Sequence, residues 1–438
     1  RMDFTSRFTF CVLTFLAQSV TSLQVTFTTP TVVHKSYNLQ HAWFSSLASL
    51  QVTPSDHLLL SFSLGGDGTA CPPPGKPKSF QNCSMTVLSN NGGQSWTPLP
   101  NWSKHSFNTI VPLSTGSFVS IGYGLKFTDA RNTTAVQSGW QGHIDSTTGT
   151  LIIDTSFNIT FKNDLNAFPI VLVHSGSVVK TTKGYITTLY GHGPGVYRHW
   201  TSHPTVYVVE STDLKDWSVI SSIPWESSFG NSSDGPGEPS TTRLSDNRLL
   251  MVIRIDGDAP YWKSFSSDDG HSWTVPVRMV SPTGLGQWSV KPRVRQVPGT
   301  NLLVLLGGRP GLNLWVSQDF GNTWIRYNIA KEHNNQLQQH QAIEHNNQLQ
   351  QHQGVQQRTT QNITELLYTH EVVDCTNWTA PRANPPQTSS YFGATFARDG
   401  ALVLSYDRLS DGWHGAHING TWGSFDTMFT MRVFLQDK

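Results

Sequence analysis

The chain has 438 residues, enough for one large domain or for two or three small ones. Only 13% of the residues are charged, about half the usual share, and the net charge of +1 argues against a polyanionic partner such as nucleic acid. Fifteen Trp residues, many Thr and Ser, and little helix-type apolar periodicity read as an all-β protein.

The first residues read as a secretory leader. Met2 to Arg7 is a short basic segment, and Phe8 to Ala17 is an apolar run of about ten residues, too short to span a bilayer. Val20-Thr21-Ser22 predicts cleavage after Ser22, with Ser19 as the alternative, so residues 1–22 are set apart from a single domain over 23–438. No later stretch is long and apolar enough for a membrane helix. Eight Asn-x-Ser/Thr sites agree with secretion: Asn82, Asn101, Asn132, Asn158, Asn231, Asn362, Asn377 and Asn419. Beyond the leader, Cys71 and Cys83 bracket a Pro-rich loop and could pair, which leaves Cys375 as a buried thiol or an intermolecular bridge. No Cys-x-x-Cys pair suggests zinc, and neither metal nor cofactor is expected.

A short turn followed by an apolar strand recurs along the chain. Asp56 leads into Leu58-Leu59-Leu60, Gly116 into Phe118-Val119, and Gly184 into Tyr185-Ile186. Asn247 leads into Leu249-Leu250-Met251, Thr300 into Leu302-Leu303-Val304, and Gly400 into Leu402-Val403-Leu404. These six units are mostly 50 to 70 residues apart, a spacing suited to four-stranded sheets with loops. A second repeat lies between them. Ser266, Asp268, Gly270 and Trp273 form Ser-x-Asp-x-Gly-x-x-Trp, and Ser317, Asp319, Gly321 and Trp324 repeat it in full. Ser89, Asn91, Gly93 and Trp96 repeat it with Asn for Asp, while Ser211, Asp213 and Trp217 form a copy one residue short and without the Gly. Such a segment predicts a hairpin tip. The Asp caps backbone N–H groups, the Gly takes a positive φ, and the Trp packs between strands. The second and sixth units show no readable copy.

The last spacing is about 100 residues because of an insertion over 331–358, in which EHNNQLQQHQ occurs twice, at 332–341 and 344–353. With almost no apolar content it predicts a disordered or loosely helical surface excursion whose deletion the fold tolerates.

Three stretches carry candidate chemistry. Gly237-Glu238-Pro239-Ser240 enters the fourth unit, and Arg254 ends its next strand. Arg309 lies in Gly307-Gly308-Arg309-Pro310-Gly311, and Tyr391 enters the sixth unit. Each also has a plain reading: Glu238 and Arg254 as a structural ion pair, Arg309 as a loop charge, Tyr391 as core. Their equivalent places in different repeats favour a shared site.

The Ser-x-Asp repeats resemble the Asp boxes of the sialidase (neuraminidase) superfamily, and the three stretches resemble its active-site strands. The resemblance covers roughly residues 40–438 apart from the insertion, and it implies a six-bladed β-propeller that removes terminal sialic acid with retention of configuration. It further implies Tyr391 as nucleophile, Glu238 as its base, and Arg254 and Arg309 as cations that hold the substrate carboxylate. Asp67, in Gly65-Gly66-Asp67-Gly68, would protonate the leaving oxygen, although a Gly-flanked Asp is also a common turn residue. One position departs from the family pattern. Ser46 stands where the resemblance places an Arg entering the first blade, and no Arg lies between Arg7 and Arg131. Arg293, in Lys291-Pro292-Arg293, is the candidate for a third cation from another direction. Three functional readings follow: a secreted sialidase, an exo-glycosidase for another terminal sugar, or a propeller that binds glycans without cleaving them. All imply a glycan partner and no membrane span; oligomeric state stays open.

Overall fold

The computed structural model describes residues 23–36, 42–51, 56–64, 84–99, 109–114, 116–145, 147–148, 150–164, 168, 171–192, 204–229, 235–255, 260–279, 290–308, 311–351, 388, 391–409 and 426–437. The leader, all the cysteines, the sequons other than Asn132 and Asn158, and the tract beyond Gln351 lie outside these residues.

The structure is almost entirely β. After β1 (Leu23–Phe27) and β2 (Thr31–Ser36), the first antiparallel run is β3 (Ala42–Gln51), β4 (Asp56–Leu64), β5 (Ser84–Ser89) and β6 (Thr97–Pro98). The second is β7 (Thr109–Ser114), β8 (Ser117–Ile121), β10 (Thr134–Ile144) and β11 (Leu151–Lys162), with β9 (Lys126–Phe127) on the side of β10. The third is β12 (Val171–Lys180), β13 (Tyr185–His192), β14 (Pro204–Ser211) and β15 (Asp216–Ile223). A short parallel pairing of Thr160–Lys162 with Asp216–Ser218 joins the second and third runs into one nine-stranded sheet. Next come β16 (Gly237–Arg243), β17 (Leu249–Arg254), β18 (Trp262–Ser266) and β19 (Val277–Arg278), then β20 (Arg293–Gln296), β21 (Leu303–Gly308), β22 (Leu312–Ser317) and β23 (Ile325–Asn328). Helix α1 (Ile329–Gln351) precedes the last run, β24 (Gly393–Phe396), β25 (Leu402–Arg408) and β26 (Asp426–Asp437). The amino-terminal strand β1 completes that sheet by pairing with the far end of β26, Leu23 opposite Asp437.

The turn-plus-strand repeats of the sequence fall at the second strand of each run, β4, β8, β13, β17, β21 and β25. The opening strands stand side by side in cyclic order, with β24 returning to β3. The second strands β17 and β21 show no polar face because alternate side chains enter different cores. Leu249, Met251 and Ile253 pack against Val206 and Val208 of the preceding run. Leu250 and Val252 pack against Leu303, Leu305 and Trp315 of the next. The same division recurs around the ring, so each pair of neighbouring runs shares a core, and Leu60 and Val87 meet Val403 and Met428 where first and last runs join.

The four Ser-x-Asp copies all connect the third strand of a run to its fourth. In each complete copy the Ser Oγ donates to the Asp or Asn oxygen at 2.8–2.9 Å and accepts the Gly N–H at 2.8–2.9 Å. Gly93, Gly270 and Gly321 take φ of 86°, 94° and 84°. In the short copy, Leu214 adopts φ 65°, and its N–H donates to Ser211 Oγ at 2.9 Å. Its Trp217 is buried and stacks on Phe161 across the parallel junction, which compensates locally for a non-Gly residue in the left-handed region. The sixth run has no copy because its third and fourth strands come from opposite ends of the chain, so no hairpin joins them. In the second run, Asp145 caps the β10–β11 turn through the N–H groups of Thr147 and Thr148. Asp319 accepts from the N–H of Asn322 and Thr323 and from Thr323 Oγ1. Asp319→Ala is expected to cost about 0.5–2 kcal/mol, as for loss of a cap, measured as a lower urea midpoint with unchanged slope.

The Gln-rich tract is helical in the structure through Gln351, and its start is not a surface excursion. Ile329, Ala330 and His333 are fully buried, and His333 Nδ1 lies 2.6 Å from Tyr406 Oη, with its ring edge-on to Phe429. Deletion of the whole tract would therefore open the last core, which the composition of the tract did not reveal.

Candidate functional site

Glu238 and Tyr391, 153 residues apart in the chain, meet beside the ring of opening strands: Tyr391 Oη donates to Glu238 Oε1 at 2.8 Å. Both are buried. Glu238 has φ 42°, a conformation rare outside glycine, and sits in a break of register between Gly237 and Ser240 of β16. The break turns its carboxylate toward the end of β17, where Arg254 Nη1 donates to Oε2 at 2.6 Å. Each carboxylate oxygen of Glu238 thus has a different donor. Tyr391 is positioned through its neighbours. Arg293 Nε holds the carbonyl of Phe392 at 2.8 Å, and Thr388 Oγ1 donates to the buried Asp407 at 2.8 Å.

Burial by itself would raise the Glu238 carboxyl. The charges of Arg254 and Lys291, with hydrogen bonds from Arg254 and Tyr391, outweigh it and hold the group below the usual carboxylate value. Glu238 is therefore ionised at neutral and mildly acidic pH and faces a phenol hydrogen. That pairing makes Glu238 a competent proton acceptor for Tyr391 Oη.

Of the residues singled out in the sequence, the structure brings together Glu238, Arg254 and Tyr391, with Arg293 beside them. Asp67 and Arg309 lie outside the described residues. Arg254 is engaged with Glu238, so the structural ion pair is present whatever else its remaining donors hold. Arg293 is buried, and besides Phe392 O it reaches Gly176 O at 3.2 Å.

Several neighbours were not foreseen. Lys291 is 4% exposed, and burial first, then the charge of Arg293, pushes its amine down to about 7 against the pull of Glu238. Burial and the charges of Lys291 and Arg293 likewise hold the His174 imidazole at about 3; its nitrogens lie 3.2 Å from Thr109 Oγ1 and 2.7 Å from Thr187 Oγ1. Tyr190 Oη lies 2.9 Å from Tyr123 Oη, and burial, then Tyr123, Glu238 and Tyr391, raise the Tyr190 phenol well above its usual value. The signal for the cations was present in Lys291-x-Arg293-x-Arg295, since alternate residues of a strand share a face. Lys291, just before β20, and Arg293, at its start, are both buried, an unusual pair in so uncharged a chain.

Lys291 carries a pH signature. In the unfolded chain it keeps its proton to about pH 10.5, and in the fold only to about 7. Between these values the unfolded state binds the extra proton, so this residue's penalty falls as pH rises. Lys291→Met is expected to be more stable than wild type near pH 7, and the gap should close toward pH 10 with a slope of up to about 1.4 kcal/mol per pH unit. Urea midpoints of both proteins between pH 6.5 and 9.5 check this; a constant gap would contradict it.

Among the described residues, no group of three or more His, Cys, Asp or Glu side chains is placed to hold a metal ion, and no helix is long and apolar enough to cross a membrane. No protein-family model and no curated protein matches the chain. Solved structures do. A protein of unknown function from Dyadobacter fermentans matches with a TM-score of 0.54 at 13% identity, over 94% of this chain and 99% of its own. Trypanosoma rangeli sialidase in complex with the inhibitor DANA matches with a TM-score of 0.51 at 10% identity, over 93% of this chain. The same sialidase with 2,3-difluorosialic acid, described as a covalent intermediate, matches with a TM-score of 0.50 at 11% identity. The chain spans 59% of the length of the first of these sialidase chains. At such identities the likeness is one of fold, and the chain has an all-β, sialidase-like fold.

Proposed function

We propose that this chain is a secreted exo-glycoside hydrolase of sialidase type, built as a six-bladed β-propeller, that releases terminal sialic acid from glycoconjugates with retention. The observation that carries the reading is the buried contact of Tyr391 Oη with Glu238 Oε1 at 2.8 Å, beside a sialidase-like ring of opening strands. The ring supports six blades, each an antiparallel run with its opening strand on the axis, if the nine-stranded sheet is divided at its short parallel junction.

The step this arrangement suits is displacement at an anomeric carbon. Tyr391 Oη attacks the carbon, its proton passes to Glu238 Oε1, and the glycosidic C–O bond breaks with the pair leaving on oxygen. A neutral phenol approaches an anionic sugar without the repulsion a carboxylate nucleophile would meet. Arg254 keeps Glu238 ionised in the ground state and stabilises the charge shared between carboxylate and phenol. Water then attacks the anomeric carbon and gives its proton to Asp67, and the bond to Tyr391 Oη breaks as Glu238 returns its proton to that oxygen. Asp67 is assigned the protonation of the leaving oxygen, and Arg309, Arg254 and Arg293 the substrate carboxylate.

The reading is tested by expressing the full chain with its leader and assaying the culture medium on a fluorogenic α-sialoside between pH 4 and 7. Sialic acid release supports it; protein in the medium without release from any sialoside overturns it. Ser46 favours a second reading. With Arg293 it lines a cavity of about 200 Å³ among the opening strands, and a hydroxyl there cannot form the two-pronged contact of a guanidinium with a carboxylate. A pocket so built could take another terminal sugar, which release of a different monosaccharide from a glycan panel would show.

A further inference from the structure

Strand β11 is paired on one side for most of its length. Its partner β10 runs beside it from Leu151, opposite Ile144, to Lys162, opposite Thr134. On the other side β15 pairs with it only at Thr160–Lys162. Among the described residues, no strand pairs with that side over 151–159. Thr160 N–H points outward there and donates to Lys215 O at 2.8 Å. Alternate residues of a strand direct their backbone groups to the same side, so those of Asn158 and Ser156 face the open side as well.

An open edge is a template for another strand, and proteins blunt such edges with bulges, charges or proline. The far end of this one has a bulge and a charge. Asp154 lies at the shift of register between Thr155 and Ile153, and its carboxylate meets His143 Nδ1 at 2.9 Å. The near end is closed by β15. Between them runs Thr155-Ser156-Phe157-Asn158-Ile159-Thr160-Phe161, seven residues with no charge, proline or glycine. Such a run, rich in β-branched and aromatic residues, is of the kind that pairs with copies of itself. Asn158 stands at its centre and with Thr160 completes an Asn-x-Thr site. Phe157 and Ile159 pack into the core shared with the third run, so Asn158 projects from the opposite face, where it is exposed.

We propose that Asn158 carries an N-linked glycan and that this glycan covers the β11 edge, keeping one copy of the chain from pairing there with another. The inference rests on the secretory route of the proposed function and is independent of its chemistry. In the transfer, Asn158 Nδ2 bonds to the anomeric carbon of an oligosaccharide carried on a lipid pyrophosphate. The bond from that carbon to the pyrophosphate oxygen breaks, and one amide proton is released. A glycan rooted in the middle of the run sets a bulky, hydrated mass beside the outward backbone groups of Ser156 and Asn158.

Peptide mass spectrometry of the full chain secreted from a eukaryotic host is expected to find Asn158 glycosylated. Asn158→Gln and Thr160→Ala each remove the site, and Thr160→Ser keeps it. Sedimentation velocity over a roughly hundredfold range of micromolar concentration should show both site-less variants associating, their average mass at least about doubling, while wild type and Thr160→Ser keep one mass. Adding Ser156→Lys to Asn158→Gln should restore the wild-type profile, because a charge on an exposed edge strand opposes pairing. Where the site-less variants stay inside the cell, the same pair is read as protein recovered in the medium, which Ser156→Lys is expected to restore. Glycans at other sites with Asn158 bare would overturn this inference alone, and no glycan at any site would overturn the secretory reading with it. Site-less variants that keep the wild-type mass, or association that Ser156→Lys does not relieve, would also overturn it.

Discussion

Tyr391→Phe is expected to lower kcat on an α-sialoside by at least about a thousandfold, the scale on which loss of a covalent nucleophile acts. The substitution keeps the ring and removes only the oxygen that donates to Glu238 Oε1. KM should change little, because the phenol makes its bond in the transition state rather than in the bound ground state. One hydrogen bond to a charged acceptor is also lost, worth about 1.5–3 kcal/mol, so the variant should fold with a lower unfolding midpoint. Turnover that survives in a folded Tyr391→Phe protein would remove Tyr391 from the chemistry. Binding without turnover in both proteins would favour a glycan-binding role for the same site.

Arg254→Met is expected to give the largest loss of stability, about 3–5 kcal/mol, because it leaves Glu238 as a buried carboxylate without its closest cation. The pH dependence distinguishes this from simple loss of packing. In the wild type, the Glu238 carboxyl is held below its ordinary value, so its contribution is present above about pH 4.5 and is lost as pH falls through the lower folded value. Without Arg254, burial dominates and the carboxyl takes its proton at a higher pH. The deficit of Arg254→Met should therefore shrink as pH falls from 7 toward 4. Chemical denaturation of both proteins across that range would show it, and a deficit independent of pH would mean that the ion pair is not its source.

What could be read from the sequence is local. In the Ser-x-Asp turns the hydrogen bonds among the Ser, the Asp and the Gly span four residues or fewer, so Ser266, Asp268, Gly270 and Ser272 carry that geometry wherever they occur. Some turns before a second strand are closed locally too, Asn247 N–H donating to Leu244 O and Gly400 N–H to Ala397 O. Alternation along Lys291, Arg293 and Arg295 was legible too, but not what the shared face would meet.

The tertiary structure decided everything that joins distant segments. Contact between Tyr391 and Glu238 depends on the closing of a ring across 153 residues, and the reach of Arg254 to that carboxylate depends on a break of register that no local pattern encodes. Completion of the last sheet by β1 explains why that run lacks a Ser-x-Asp turn, yet an amino-terminal strand reads no differently from any other until its partner is known. His333 belongs to a tract whose composition gave no reason to bury it, and only the space beside Tyr406 and Phe429 makes it part of the core. Local hydrogen-bonding geometry is written in the residues that make it. Burial, charge pairing and closure belong to the arrangement of the whole chain, because each depends on which distant surface is brought against which.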